Sequence, residues 1–360
     1  MKLLFVDQTA NHNPHSGYQV PKGGALTSLT EVPEYLAKQG HEVFVFSSHK
    51  VQETHNLVQY ITDFANLPQL DAAVFNRNVL PYELVKKYKD SGTKIVWWLH
   101  DIVDPRVLPD DAFKMADLII AQSEYCKKTY CDFYELDPQL FAIISNGVHS
   151  ELFDPGDHEK RNPNLYITAS ALIKGFLPLD LCYMNLKRHN PDLDFRIYSS
   201  QKLHGFENTP QQTAFLDQMS GAGAHVYSPM SPTSLAAVMK KAWCLLMPNS
   251  YPEMCSNLLL QARACGLPIV SSSIGANPEF LEHEKTGLLT KYHPHDIHSW
   301  TKEFTELACK LYFDKDLHKQ ISHQTIKNVP TWESVGNEWN TQLLKLVTNK
   351  LQNVEVLEKA

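Results

Sequence analysis

Several features that would define other classes of protein are missing from the sequence. No run approaches the ~18 uninterrupted apolar residues that a transmembrane helix requires. The apolar run at residues 3–6 is too short for the core of a signal peptide, so we expect a cytoplasmic protein without a membrane span. There is no Gly-x4-Gly-Lys-Ser/Thr phosphate loop, and the glycines at 221 and 223 precede a strand pattern, whereas a dinucleotide fingerprint follows one.

The chain also has no excess of basic residues and no cysteine pairs. Its 33 lysines and arginines face 40 aspartates and glutamates, which gives a net charge of -7. A nucleic-acid-binding protein more often carries a basic field, so we expect no nucleic-acid partner. The 7 cysteines are scattered and none forms a Cys-x-x-Cys pair. We therefore predict reduced thiols instead of a disulfide framework.

Short apolar segments alternate with longer helical patterns along the 360 residues. The apolar segments are rich in β-branched and aromatic residues and have few polar interruptions, as strands covered on both faces should. A polar, proline-rich stretch at residues 153–164 divides the alternation into two series. We therefore predict an α/β protein with two doubly wound Rossmann-like domains in tandem. The candidate strands are residues 3–6, 42–46, 72–75, 94–99, 118–121 and 141–144, then 165–169, 194–198, 225–227, 243–247, 268–271 and 287–290.

The predicted domains are residues 1–158 and 159–330, followed by a C-terminal helix over 331–360. In that last segment Trp332 and Trp339 recur at near-helical spacing, so one apolar face should pack on a domain. Ligands of doubly wound folds bind at the carboxyl ends of the strands. The cleft between two such domains is therefore the expected site.

Three positions of the first domain are candidates for ligand contacts. Gly23 and Gly24 open a helical pattern, where backbone amides can approach an anion, although a simple turn explains them equally well. Pro33 lies inside that pattern, so the helix is either kinked or begins after Gly24. His100 follows a strand and can bind a sugar hydroxyl or act as a base, unless it is an ordinary loop histidine. Asn146 precedes a glycine, which is mainly a turn signal.

The strongest candidates lie in the second domain. Lys174 follows a strand and can reach a diphosphate, and Gly175 lets the chain pass closely there. Residues 247–257 leave a strand and enter a helix near Ser256, whose first N–H groups are free to bind a diphosphate. Glu253 stands just before this helix and can accept hydrogen bonds from sugar hydroxyls. Its alternative role is to cap the helix.

Two groups of residues imitate metal sites. Asp192 and Asp194 form an Asp-x-Asp pair, but the pair precedes a strand and so lies at the wrong edge of the sheet. His293, His295 and His298 flank a proline in a polar stretch without cysteine or an obvious fourth ligand. We therefore predict no metal and no cofactor.

These residues resemble the retaining family-4 glycosyltransferases of the GT-B fold over nearly the whole chain. The most specific segment runs from residue 248 to residue 268, where the family has two glutamates in a fixed spacing before a Cys/Ala-Gly-x-Pro turn. The C-terminal stretch after Trp332 is similar to the family's helix that crosses back to the first domain. The other matching motifs are residues 23–24, 40–43, 100–101, 145–148, 174–175, 275–279 and 286–289.

The resemblance implies a hexosyltransferase that takes a hexose from a nucleotide diphosphate sugar, of the GDP-mannose or UDP-glucose type, with retention and without metal. The first domain would face the acceptor, which is an unknown glycan, lipid-linked or protein molecule, and the second would hold the donor. Lys174 matches the lysine that neutralises the diphosphate, and Glu253 and His100 match residues near the donor sugar. The loop whose amides hold the diphosphate corresponds to Met254, Cys255, Ser256 and Asn257.

Two positions depart from the family pattern. The second glutamate, which usually binds the ribose hydroxyls, is Gln261 here. The arginine that commonly precedes the lysine is absent from residues 169–173, so diphosphate stabilisation is expected to be weaker. A sugar-nucleotide epimerase of GT-B type and a non-catalytic nucleotide-sugar binding protein therefore stay open as alternatives.

Overall fold

The computed structural model of the chain describes residues 1–7, 12–49, 51–77, 82–103, 110–200 and 207–357. These residues form two compact units. Unit 1 comprises Met1–Ser16, Gly24–Gly147 and Pro330–Ala360, and unit 2 comprises Gly17–Gly23 and Val148–Val329. Within the described ranges, no helix is both long and apolar enough to cross a membrane.

Helices and strands alternate as the sequence predicts. The strands are β1 (Lys2–Val6), β2 (Glu42–Phe46), β3 (Glu53–His55), β4 (Val58–Ile61), β5 (Ala72–Asn76), β6 (Lys94–Trp98), β7 (Leu118–Ala121), β8 (Phe141–Ile143), β9 (Leu165–Thr168), β10 (Asp194–Tyr198), β11 (His225–Tyr227), β12 (Cys244–Met247), β13 (Ile269–Ser271) and β14 (Leu288–Leu289). The α-helices are α1 (Gly24–Lys38), α2 (Tyr82–Asp90), α3 (Asp110–Phe113), α4 (Glu124–Tyr134), α5 (Leu179–His189), α6 (Pro210–Gly221), α7 (Pro232–Met239), α8 (Asn257–Ala264), α9 (Asn277–Phe280), α10 (Ile297–Phe313), α11 (Lys315–Thr325) and α12 (Trp332–Leu357).

Unit 1 is built on an eight-stranded sheet in the order β3-β4-β2-β1-β5-β6-β7-β8. The pairings are parallel except between β3 and β4, which form an antiparallel edge. Strand β5 is buried along its whole length, which agrees with the apolar run at its first four residues. Helix α4 begins where the Ser123 side chain accepts a hydrogen bond from the backbone N–H of Cys126.

The C-terminal helix α12 packs on unit 1. Trp339 is buried and its ring contacts the rings of Phe5 and Trp98, with centroids 6.1 and 4.6 Å apart. The Tyr35 hydroxyl on α1 donates a hydrogen bond of 2.7 Å to the Asn337 side chain on α12. The helix therefore covers the sheet beside α1 with the apolar face that its tryptophan spacing predicts.

Unit 2 is built on a six-stranded parallel sheet in the order β11-β10-β9-β12-β13-β14. Successive residues of β9 enter two different apolar clusters: Tyr166 belongs to one, and Leu165 and Ile167 belong to the other. Because side chains alternate across a strand, these clusters lie on the two faces of the sheet. Both faces are thus covered, as a doubly wound domain requires. The predicted α/β fold of two such domains is confirmed.

The structure differs from the sequence interpretation in several places. Val148 and Phe153 pack in an apolar cluster of unit 2. The boundary between the units therefore lies after Gly147, whereas the sequence predicted it after residue 158. Helix α1 begins at Gly24 and includes Pro33, so the alternative of a later start is wrong. Strands β3 and β4 were not predicted, because both are short and contain polar residues.

Candidate functional site

Unit 2 brings together two charged residues that are 79 positions apart in the chain. Lys174 lies in the turn after β9, and Glu253 lies in the loop after β12, the neighbouring strand. The Lys174 ammonium donates to both carboxylate oxygens of Glu253, with Nζ–Oε distances of 2.8 and 3.0 Å. The Asn249 side-chain amide donates a third hydrogen bond to this carboxylate, at 3.2 Å. Glu253 is buried, whereas the Lys174 side chain keeps 30% of its surface exposed.

Two glycines let the backbone close around this ion pair. Gly175 has a φ of +125°, and a Cβ there would lie 2.3 Å from the Pro248 carbonyl oxygen. Gly275 has a φ of +60°, and its Cβ would lie 2.6 Å from the backbone N and O of Glu253. The Lys174 carbonyl accepts from the Ser250 N–H at 2.8 Å, which ties the two loops together. Any side chain at either glycine would push these loops apart.

Helix α8 starts four residues after Glu253. Ser256 is its N-terminal capping residue, has extended backbone angles, and makes no side-chain capping bond. Met254 and Ser256 are buried, and Cys255 is partly exposed. Gln261 lies one turn beyond Asn257, is half-buried, and makes no side-chain hydrogen bond to the part of the chain that the structure describes. Its amide is therefore available to a ligand.

Three polar residues of unit 1, two of which the sequence predicts, lie at the carboxyl ends of three neighbouring strands. His100 follows β6 and Asn146 follows β8, and between them the structure adds Gln122, which follows β7. The Gln122 side-chain nitrogen donates to His100 Nδ1 at 2.9 Å and to Asn146 Oδ1 at 2.6 Å. Burial and the nearby Arg77 charge hold the pKa of His100 well below its usual range, so the ring is neutral. Sequence reasoning missed Gln122, although its place directly after a strand was a usable signal.

The two glycines before α1 differ in their surroundings. Gly24 is the first residue of α1, whereas Gly23 lies in the segment that belongs to unit 2. A Cβ at Gly23 would meet no atom within 4 Å. Nothing in the packing therefore demands glycine at that position, and its proposed ligand contact stays a prediction.

The residues that imitated metal sites make other contacts. Asp194 begins β10, and its carboxylate pairs with the Arg196 guanidinium and with the His225 ring at 3.0 Å. His293 and His295 contact each other, with ring centroids 4.3 Å apart. Among the residues whose positions are described, no group of three or more His, Cys, Asp or Glu could hold a metal ion.

Comparison with known proteins gives the class of the fold. A glycosyltransferase from Rickettsia africae superposes with a TM-score of 0.74 at 15% identity, covering 97% of this chain and 99% of the other. The Anabaena protein HepE, crystallised with UDP-glucose, gives a TM-score of 0.70 at 16% identity over 98% and 100% of the two chains. The two units therefore have the fold of GT-B glycosyltransferases, as the sequence resemblance implies.

The family evidence comes from the sequence of unit 2. Residues 183–310 match the family model described as Glycosyl transferases group 1. Two D-inositol 3-phosphate glycosyltransferases are similar, at 23% identity in Corynebacterium aurimucosum and 22% in Corynebacterium glutamicum. The alignments cover 56% and 70% of this chain. The chain spans 51% and 62% of the length of these curated relatives.

Proposed function

We propose that the chain transfers a hexose from a nucleotide diphosphate sugar to an acceptor, without metal and with retention at the anomeric carbon. The observation that carries the proposal is the Lys174–Glu253 pair, which stands at the carboxyl ends of two neighbouring strands just before α8. A cation, a buried carboxylate and the first N–H groups of a helix are the groups that a sugar diphosphate requires. The family match over residues 183–310 supports this interpretation.

Each residue of the pair has a separate task in this proposal. The leaving diphosphate gains negative charge as its bond to the sugar breaks, and Lys174 stabilises that charge together with the N–H groups at the start of α8. Lys174 reaches the diphosphate by exchanging the Glu253 oxygens for phosphate oxygens, which its partly exposed side chain allows. Glu253, released from the ammonium, accepts hydrogen bonds from the sugar hydroxyls.

The remaining predicted contacts complete donor binding. Backbone amides at Met254, Cys255, Ser256 and Asn257 hold the diphosphate, and Gln261 binds the ribose. By the sequence resemblance, His100, Asn146 and the glycines at 23 and 24 are also assigned to donor binding. The protein supplies no nucleophile. The acceptor oxygen attacks the face that the diphosphate leaves, so that the new glycosidic bond forms as the sugar–diphosphate bond breaks and the hydroxyl proton passes to the departing diphosphate. Attack by water would hydrolyse the donor, so water must be excluded when the acceptor is bound.

The structures of similar proteins narrow the choice of donor for a first experiment. HepE of Anabaena was crystallised with UDP-glucose, so UDP-glucose is the first donor to test, and GDP-mannose is the second because the sequence resemblance allows both. Because the sequence relatives are named D-inositol 3-phosphate glycosyltransferases, D-inositol 3-phosphate is the first acceptor to test, before glycan, lipid-linked and protein acceptors.

The test is calorimetric titration of the protein with a panel of nucleotide sugars, followed by transfer assays with the donor that binds. We expect one donor to bind and the product to keep the anomeric configuration of the donor, which NMR of the product reports. Glu253→Ala should nearly abolish transfer. Binding of no nucleotide sugar would refute the proposal, and release of an epimerised sugar nucleotide without any acceptor would replace the transferase with an isomerase.

Metal independence has its own measurement. Transfer should survive exhaustive treatment with EDTA, because Lys174 and the α8 N–H groups take the role that Mg²⁺ has in other glycosyltransferases. Loss of activity that Mg²⁺ or Mn²⁺ restores would contradict this part of the proposal.

A further inference from the structure

Three polar side chains of unit 1 form a connected network next to His100. Gln122, Asn146 and Ser28 are 2%, 3% and 0% exposed, so no bulk water competes for their hydrogen bonds. The Ser28 hydroxyl lies 3.0 Å from Asn146 Oδ1, and Asn146 Oδ1 accepts from Gln122 at 2.6 Å. The same Gln122 nitrogen lies 2.9 Å from His100 Nδ1. One amide group therefore joins the histidine to a buried asparagine.

This network determines which ring nitrogen of His100 carries the proton. A side-chain NH2 group has two hydrogens and can only donate, so both Asn146 Oδ1 and His100 Nδ1 act as acceptors. A neutral imidazole has one N–H, which must then sit on Nε2. His100 Nε2 is buried and has no hydrogen-bond partner among the described residues. A buried N–H without a hydrogen-bond partner is unfavourable, which points to a ligand atom as its partner.

We propose that Gln122 is a positioning residue that holds His100 in the Nε2–H tautomer, so that this N–H donates a hydrogen bond to a hydroxyl or phosphate oxygen of the substrate. In this tautomer His100 Nε2 has no free lone pair, so the ring cannot take a proton from the acceptor. Of the two roles that the sequence left open for His100, the network selects hydrogen-bond donation over base catalysis. The inference rests on the proposed function for the identity of the ligand, but the tautomer itself is a property of the protein alone.

Nitrogen-15 NMR of the ligand-free protein tests the tautomer directly. The chain has 17 histidines, so the His100 ring signals are assigned by their loss in His100→Asn. We expect a pyrrole-type shift at Nε2 and a pyridine-type shift at Nδ1 near neutral pH. A pyrrole-type shift at Nδ1 in the wild-type protein would overturn the proposal, since it would mean that the Gln122 amide is turned the other way.

A charge substitution provides the second test. Gln122→Glu replaces a donor with a carboxylate, which can only accept, so the Nδ1 signal should become pyrrole-type as a proton moves there. Gln139→Glu is the matched control, because Gln139 is exposed on the same unit and its substitution adds the same charge. The His100 signals should be unchanged in this control. An Nδ1 signal that stays pyridine-type in folded Gln122→Glu would contradict the role of Gln122.

Activity separates this inference from the proposed function. Gln122→Leu removes the donor without adding charge and should lower kcat/KM for transfer by about two- to tenfold, the effect of losing one neutral hydrogen bond. If no nucleotide sugar binds while the wild-type tautomer is as expected, only the proposed function fails. If a sugar nucleotide binds and is turned over while Nδ1 carries the proton, only the present inference fails.

Discussion

The Lys174–Glu253 pair should be measurably stronger than an ion pair on the surface of the same unit. The perturbation is a double-mutant cycle in which Lys174→Met and Glu253→Gln each remove one charge with little change in size. A matched pair is available in Lys240 and Asp154, which also form a salt bridge in unit 2. The side chains of both lysines are 30% exposed, so the two pairs differ mainly in their carboxylates.

The burial of the carboxylates gives the expected magnitudes. The Glu253 side chain is 9% exposed and also accepts from Asn249, whereas the Asp154 side chain is 52% exposed. Hydrogen bonds to charged groups contribute about 1.5–3 kcal/mol when water is largely excluded. Solvent-exposed ion pairs contribute about 0.2–1 kcal/mol. We therefore expect a coupling energy of about 1.5–3 kcal/mol for Lys174 with Glu253 and less than about 1 kcal/mol for the control pair.

Unfolding in urea measures the cycle, with hydrogen exchange of the amides of β9 and β12 as a readout confined to unit 2. Lys174→Met alone should destabilise unit 2 more than Glu253→Gln, because it leaves a buried carboxylate without its cation. Equal coupling energies in the two cycles would refute the reasoning, since burial of Glu253 would then have no effect on the strength of its ion pair.

Three further outcomes follow from the site and its surroundings. Gln261→Ala should weaken donor binding by about two- to tenfold in calorimetry, the effect of one neutral hydrogen bond, and unchanged affinity would mean that the ribose is bound elsewhere. Gly175→Ala should lower the free energy of unfolding by about 1–3 kcal/mol and weaken donor binding, because its Cβ would meet the Pro248 carbonyl. The control Gly23→Ala has open space around its Cβ and should be as stable as wild type. Burial lowers the pKa of His318 to about 3 from an ordinary value near 6.5. The stability that this neutral ring supplies is complete above about pH 6.5 and falls by up to about 1.4 kcal/mol per pH unit down to about pH 3. The His318→Gln variant should therefore show a flatter pH dependence of the free energy of unfolding in urea. An equally steep dependence in the variant would exclude His318 as its source.

The order of helices and strands could be read from the sequence because it depends on local patterns. Buried parallel strands need continuous apolar runs, and β5 and β12 have them. Helix α4 has its capping serine and helix α8 its closing glycine at Gly266, so their ends are local as well. The edge hairpin of β3 and β4 was missed because an edge strand with polar residues lacks the apolar run that marks a buried strand.

The candidate site was predictable as a set of positions but not as a set of contacts. The rule that ligands bind after the carboxyl ends of strands selected Lys174, Glu253 and His100 from the sequence. That Lys174 contacts Glu253 depends on β9 and β12 being neighbours in the sheet, and strand order is set by packing between distant segments. No local spacing encodes a contact across 79 residues.

The sequence by itself thus determined the fold class, the residues that follow each strand, and the family that the chain resembles, because each of these depends on residue types within a short window. Only the tertiary structure decided which of those residues meet. In the structure, Gln122 forms hydrogen bonds with both His100 and Asn146. The boundary between the two units lies after Gly147. The physical reason is that hydrogen bonds and ion pairs form between side chains that folding brings within about 3 Å, whatever their separation along the chain.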